Sequence, residues 1–157
     1  MQGDFSRDTF RPERGYSSVR LQQGRVSVDA DWNEQADIQA YLERTALTDV
    51  IGASGTPEPG GFGVTVAGDG SLVVGAGRYY VRGILAENVE DRTLPAQPFL
   101  PGVPLPTDPG IYYAYLDVQE RLVTHLHDAL LREVALDGPD TAARKQVVWQ
   151  VRLERSG

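Results

Sequence analysis

Four side chains in the stretch "DADWNE" have the types and spacing to do chemistry: Asp29, Asp31, Asn33 and Glu34. Asp29, Asp31 and Asn33 match the first three ligand positions of an EF-hand calcium loop, where alternate residues supply oxygen ligands. The match then fails. The sharp-turn glycine should stand at 34, where the chain has Glu34, and the bidentate glutamate should stand at 40, where it has Ala40. A helix start accounts for the same residues better. Asp31 can accept bonds from the free N–H groups of a first turn, and Glu34 can return a bond to the cap's own N–H, forming a capping box. Their charge also suits the positive end of the helix dipole. Asp31 and Glu34 are therefore read as a helix cap, and no metal ligand is assigned.

The other reactive types are sparse. "HLH" puts His125 and His127 on one face of an extended chain. Two imidazoles could share a zinc ion, but a third ligand is missing nearby unless three copies meet on an axis. Two exposed strand residues are the simpler reading. There is no G-x-S-x-G, H-E-x-x-H or Walker lysine motif. "GGFG" and "GAGRYYVRG" are not followed by a helix, so they do not read as phosphate cradles. Carboxylate pairs for glycoside chemistry leave no local signature, and nothing here singles one out. No catalytic residue and no cofactor is assigned, and the chain does not read as an enzyme.

Composition narrows the partners. The 157 residues suit one domain and carry a net charge of -7 with no cysteine. Nucleic acid and membrane insertion are not expected, because the first needs a basic surface and no run approaches a membrane span. The opening "MQGDFSRDTF" lacks an apolar signal core, so cytoplasmic synthesis and assembly are expected. Against the acidic background, Arg7, Arg11, Arg14, Arg20 and Arg25 cluster near the N-terminus. Phe5, Phe10 and Tyr16 lie among them in a segment too polar to hold a core of its own. Phe5, Arg7, Phe10, Arg11, Arg14 and Tyr16 are therefore candidate docking residues.

The elements that position these groups follow from periodicity. A strand-like run leads through Val26 and Val28. Residues 31–51 lack Pro and internal Gly and predict a helix stopped by Gly52. Its apolar stripe is wide for one surface helix. Trp32, Ile38, Leu42, Ala46 and Val50 are therefore candidates for an oligomer interface. Beyond residue 53 the period becomes two. Phe62, Val64 and Val66 turn back through "AGDGS", and Val147, Trp149, Val151 and Leu153 share one face near the end. Residues 111–126 predict a strand pair about "QER". Pro95, Pro98, Pro101 and Pro104 recur every third residue, the period of a polyproline II helix, within a connecting loop over 95–109. The expected fold is mainly β (α+β). A β-sandwich or partly open barrel spans 53–157, behind an N-terminal docking arm and short strand (1–30) and one long helix (31–52).

Several blocks carry a resemblance: "GDFSRDTF", "QQGRVSVDADWNEQ", "GRYYVRGILAEN", "YLDVQER", "REVALDGPDTAAR" and "VVWQV". Together they resemble a bacterial domain-of-unknown-function family associated with phage-tail-like contractile injection systems. "GRV…DADWNEQ" is similar to a block in trimeric baseplate and tail-fibre attachment proteins, although Asp31-Trp32 stands where that block has Glu-Leu. The resemblance implies a structural subunit, a homotrimer whose partners are baseplate or spike proteins and a distal fibre, within a virion-like particle that can be released from the cell. The alternative is a carbohydrate-binding or glycan-cleaving tailspike module. That reading needs exposed rings among Tyr79, Tyr80, Tyr112, Tyr113 and Tyr115, whereas cross-strand packing would bury them.

Overall fold

The computed structural model describes residues 3–157. It is mostly β with one long helix, α1 (Asp29–Ile51). The strands are β1 (Ser54–Gly55), β2 (Val64–Val66), β3 (Leu72–Val74), β4 (Gly77–Val81), β5 (Ile84–Asn88), β6 (Arg92–Thr93), β7 (Ala96–Gln97), β8 (Leu100–Pro101), β9 (Tyr112–Val123) and β10 (Arg144–Arg155). They form two three-stranded sheets, ordered β1-β4-β5 and β2-β3-β6, and two pairs, β7-β8 and β9-β10. The sheets are open and do not close into a barrel.

The β9–β10 ribbon organises the molecule. Its strands pair from Tyr112↔Arg155 to Val123↔Arg144. The alternation in β10 sends Trp149 and Val151 into the core opposite Val118 and Leu116. There they meet Phe62, Val74, Ala86 and Leu94. Trp149 stands edge-on to Phe62, with ring centroids 4.9 Å apart, and its indole N–H donates to the Glu87 carbonyl at 2.8 Å. Buried Gln97 ties the short β7–β8 hairpin to the edge of the ribbon. Its side-chain amide donates to the Val151 carbonyl at 3.0 Å and accepts the Val151 N–H at 2.6 Å, as a neighbouring peptide would.

The same face of the ribbon continues past the core and holds the helix. Lys145 pairs with Asp37, and Arg44 pairs with Glu120 at 2.5 Å. The β4–β5 turn also rests on α1. Arg82 and Gly83 both have positive φ, as a two-residue hairpin loop requires. A Cβ at Gly83 would lie 2.5 Å from the Arg44 carbonyl oxygen, so only glycine lets the turn sit this close.

Three expected elements differ. Residues 119–121 ("QER") lie inside β9, so the predicted strand pair is one continuous strand. The proline-rich loop is not a polyproline helix over its first half. Ala96↔Pro101 and Gln97↔Leu100 pair as a hairpin, because Gln97 is anchored in the core. The run through Val26 and Val28 joins no sheet, and both side chains are exposed.

Candidate assembly surface

The acidic stretch is the seat of the N-terminal arm. The helix begins at Asp29, with Val28 extended in the cap position and no side chain bonded there. The capping box of Asp31 and Glu34 is thus corrected: Asp31 lies within the first turn, and Glu34 accepts the Thr9 hydroxyl at 2.6 Å. Asp29 accepts the Ser6 N–H at 2.9 Å, and the Gln35 side chain accepts the Val19 N–H at 2.8 Å. Phe10 packs on Tyr41 at 5.7 Å between centroids. Ile38 lies on this helix face, between the arm's contacts at Glu34 and Tyr41, and is 1% exposed. The polar groups were read as serving the helix alone, but the arm competes for them and wins.

Hydrogen bonds from the Ser6 side chain and then its backbone hold the Asp29 carboxyl below its ordinary 3.8. Detaching the arm restores the ordinary value, so the detached state binds more protons at acid pH. The tether is fully present above that value and is lost as pH falls from it through the lowered, arm-bound one. The Ser6 amide resonance should therefore shift, and its exchange protection fall, below about pH 4. In Asp29→Asn it should not titrate there. A Ser6 amide that titrates identically in both proteins would exclude this tether.

The candidate docking residues divide. Phe10 is committed to Tyr41 within the chain, and Arg11 donates to the Phe10 carbonyl and lies 3.7 Å from Asp8. Phe5, Arg7, Arg14 and Tyr16 are exposed. The candidate oligomer residues divide as well. Ile38 is buried within the chain, so it cannot face another copy as expected. Trp32 and Val50 are 63% and 86% exposed. They stand eighteen residues apart, about five helical turns, and so share one line along the helix. Ala46 is exposed near that line and Leu42 on its flank.

Elsewhere, most polar groups are matched locally, although the Oδ1 of buried Asn88 has no partner among the described residues. A cleft between the arm, α1 and β10 is lined by Phe10, Asp37, Tyr41, Arg44, Arg82 and Lys145. Asp37 and Arg44 are already paired there to Lys145 and to Glu120. His125 and His127 lie in a turn beyond β9, not in a strand. His125 bonds Asp140 at 2.7 Å and His127 turns to Thr124 at 3.1 Å. Among the described residues, no three His, Cys, Asp or Glu side chains converge as a metal site. The glycine-rich stretches serve close packing: a Cβ at Gly77 would lie 2.8 Å from Gly61 Cα. Of the tyrosines, Tyr79 packs edge-on against Phe62, and Tyr80 and Tyr112 are partly covered. Tyr113 and Tyr115 are exposed on one side of β9.

The total surface gives the largest signal. The chain exposes 11227 Å². A compact monomer of 17.2 kDa would expose about 7,800 Å², leaving an excess of roughly 3,400 Å². Part of it was missed in the sequence. The β9–β10 connection holds Leu126, Leu130, Val134 and Leu136 out in solvent. The four-residue spacing of Leu126, Leu130 and Val134 was the available signal, but two short 3-10 turns break the helix it suggests.

Fold and surface together define an α+β domain built on one long β ribbon, carrying a helix that exposes Trp32 and Val50 at its two ends. The chain belongs to the family of unknown function DUF6519, which it matches over residues 1–157. No curated protein and no solved structure matches it.

Proposed function

We propose that this chain is a structural subunit of a phage-tail-like contractile particle, placed at the baseplate or joining a fibre or spike to it, and that it works as a homotrimer. The observation that carries the reading is the roughly 3,400 Å² of excess surface, with Trp32, Leu42 and Val50 of α1 left exposed by the chain. Obligate assemblies bury areas of this order. The resemblance of the sequence blocks supplies the kind of particle. The role is geometric: it asks for no catalysis, cofactor or nucleic acid, and the chain would be assembled in the cytoplasm with the particle.

The test has two arms. Light scattering should give the mass of three chains for the wild type. Trp32→Glu with Val50→Glu should give the mass of one, because association would bury unpaired charge. Particles purified from the source cells should contain the chain at the baseplate by immunogold labelling. A wild-type monomer, both free and in the cell, together with absence from the particles, would end this reading. A second reading, a carbohydrate-binding module, is favoured by the exposed pair Tyr113 and Tyr115. It requires sugar-dependent change in tyrosine fluorescence, and none on adding any glycan would remove it.

A further inference from the structure

We propose that the loop 124–143 of one copy seats on residues 14–28 of the next copy, so that the trimer closes through an acidic apolar loop meeting a basic apolar arm. This inference rests on the trimer reading above and says which surfaces meet. A ring of three repeats a heterologous contact, so two different patches of one chain must fit each other.

The loop is built to hold its shape. Asp128 accepts the Leu130 N–H at 2.9 Å, and Glu133 accepts the Ala135 N–H at 3.1 Å. The Glu133 N–H donates to the Pro139 carbonyl at 2.8 Å, and His125 bonds Asp140 at 2.7 Å. Among the described residues these bonds stay within the loop and tie it neither to the arm nor to the helix. The ordered loop nonetheless presents Leu126, Leu130, Val134 and Leu136 to water, with Leu130 90% exposed. A preorganised apolar knob loses little freedom when it docks.

The opposite surface has matching chemistry. Residues 14–28 carry Arg14, Arg20 and Arg25 and no acid, and the groove of Arg20 and Arg25 takes in one carboxylate, Asp31. The loop carries Asp128, Glu133, Asp137 and Asp140 against the single Arg132. None of Arg14, Arg20 and Arg25 makes an ion pair among the described residues. Tyr16, Leu21 and Val26 stand exposed between them, Val26 at 88%. Opposite charge around an apolar centre selects the partner and fixes register.

The two patches also share one end of the molecule. Residues 14–28 lead into the start of α1 at Asp29. The loop leaves the ribbon at Val123 and Arg144, beside Lys145, which pairs with Asp37 of α1. A Cβ at Gly3 would lie 3.0 Å from Leu122, so the arm reaches this end too. With α1 turned toward a threefold axis, a neighbour's loop arrives at the arm's level.

The chain has no cysteine, so introduced thiols report without background. Val26→Cys with Leu130→Cys in one full-length chain, treated with a short bismaleimide, should link three chains on a denaturing gel. Either single variant alone should stay at one chain, and an equal mixture of the two should stop at two. Leu21→Cys with Val134→Cys covers a shifted register, and all four positions are exposed. If neither pair links while light scattering still reads three chains, the loop–arm contact is wrong and the trimer stands. If a single variant links as well as its double, the contact is not heterologous and the proposal is equally wrong. A monomeric wild type overturns both readings.

Discussion

Trp149→Ala should destabilise the β core by about 3–5 kcal/mol, the cost of deleting a buried large aromatic. For a domain of this size that lowers the melting temperature by roughly 10 °C or more. Three features put the value at the upper end. Trp149 is 3% exposed at the centre of a small cluster. It makes T-shaped contacts with two rings, Phe62 at 4.9 Å and Phe99 at 6.1 Å. Its N–H satisfies the Glu87 carbonyl, which alanine would leave without that donor. Trp149→Phe keeps most of the packing and loses only the donor, so it should fall well short of alanine. The backbone reinforces the point: Phe62 sits at φ 59, a strained conformation for a non-glycine residue. That strain is tolerated because the ring is locked against Trp149 and Tyr79. A melting shift under about 3 °C for Trp149→Ala, by the same scaling, would show that the ribbon is not held through this residue.

The importance of Trp149 was legible because Val147, Trp149, Val151 and Leu153 recur with period two, although Val148 and Gln150 on the other face are buried as well. The helix was legible for the same kind of reason, an uninterrupted run of good helix formers closed by Gly52. What failed was decided by polar groups and by distant partners. "QER" looked like a turn because three polar residues follow an apolar run. The outer end of the ribbon is open to water, so polar residues carry no turn signal there. The proline spacing implied an extended helix, but Gln97 reaches Val151, 54 residues away, and imposes a hairpin. The wide stripe on α1 was read as one oligomer face. Hydrophobic periodicity is blind to Asp29, Glu34 and Gln35, the groups that seat the arm and so remove Ile38 from that face. The exposed remainder, from Trp32 to Val50, was legible; its division from the covered part was not.

Deleting residues 2–18 should unfasten the helix while leaving the β core intact. The core cluster contains no residue of the arm or of α1, so its melting midpoint should move little. The helix depends on the arm more heavily. Of its side chains only Ala30 and Ile38 are buried. Phe10 leaves Tyr41 with the arm, and Ile38, one turn away on the helix, would forfeit about 1.5–3 kcal/mol if it is uncovered too. What remains is mostly the pairs Asp37–Lys145 and Arg44–Glu120, which lie near the surface and contribute about 1 kcal/mol or less each. Most of a protein helix's stability comes from tertiary packing, so α1 loses its main support with the arm. The helical circular-dichroism signal of the deletion variant should therefore fall and melt early, separately from the β signal. Point variants sharpen the expectation. Phe10→Ala removes the contact with Tyr41 and should reproduce much of the loss. Phe5→Ala should not, since Phe5 is 43% exposed and free to serve a partner. If both variants keep full helicity and both lose the particle, the arm is a docking element that contributes nothing to its own helix. If the deletion instead collapses the β signal, the ribbon needs the arm, and helix and core do not unfold separately.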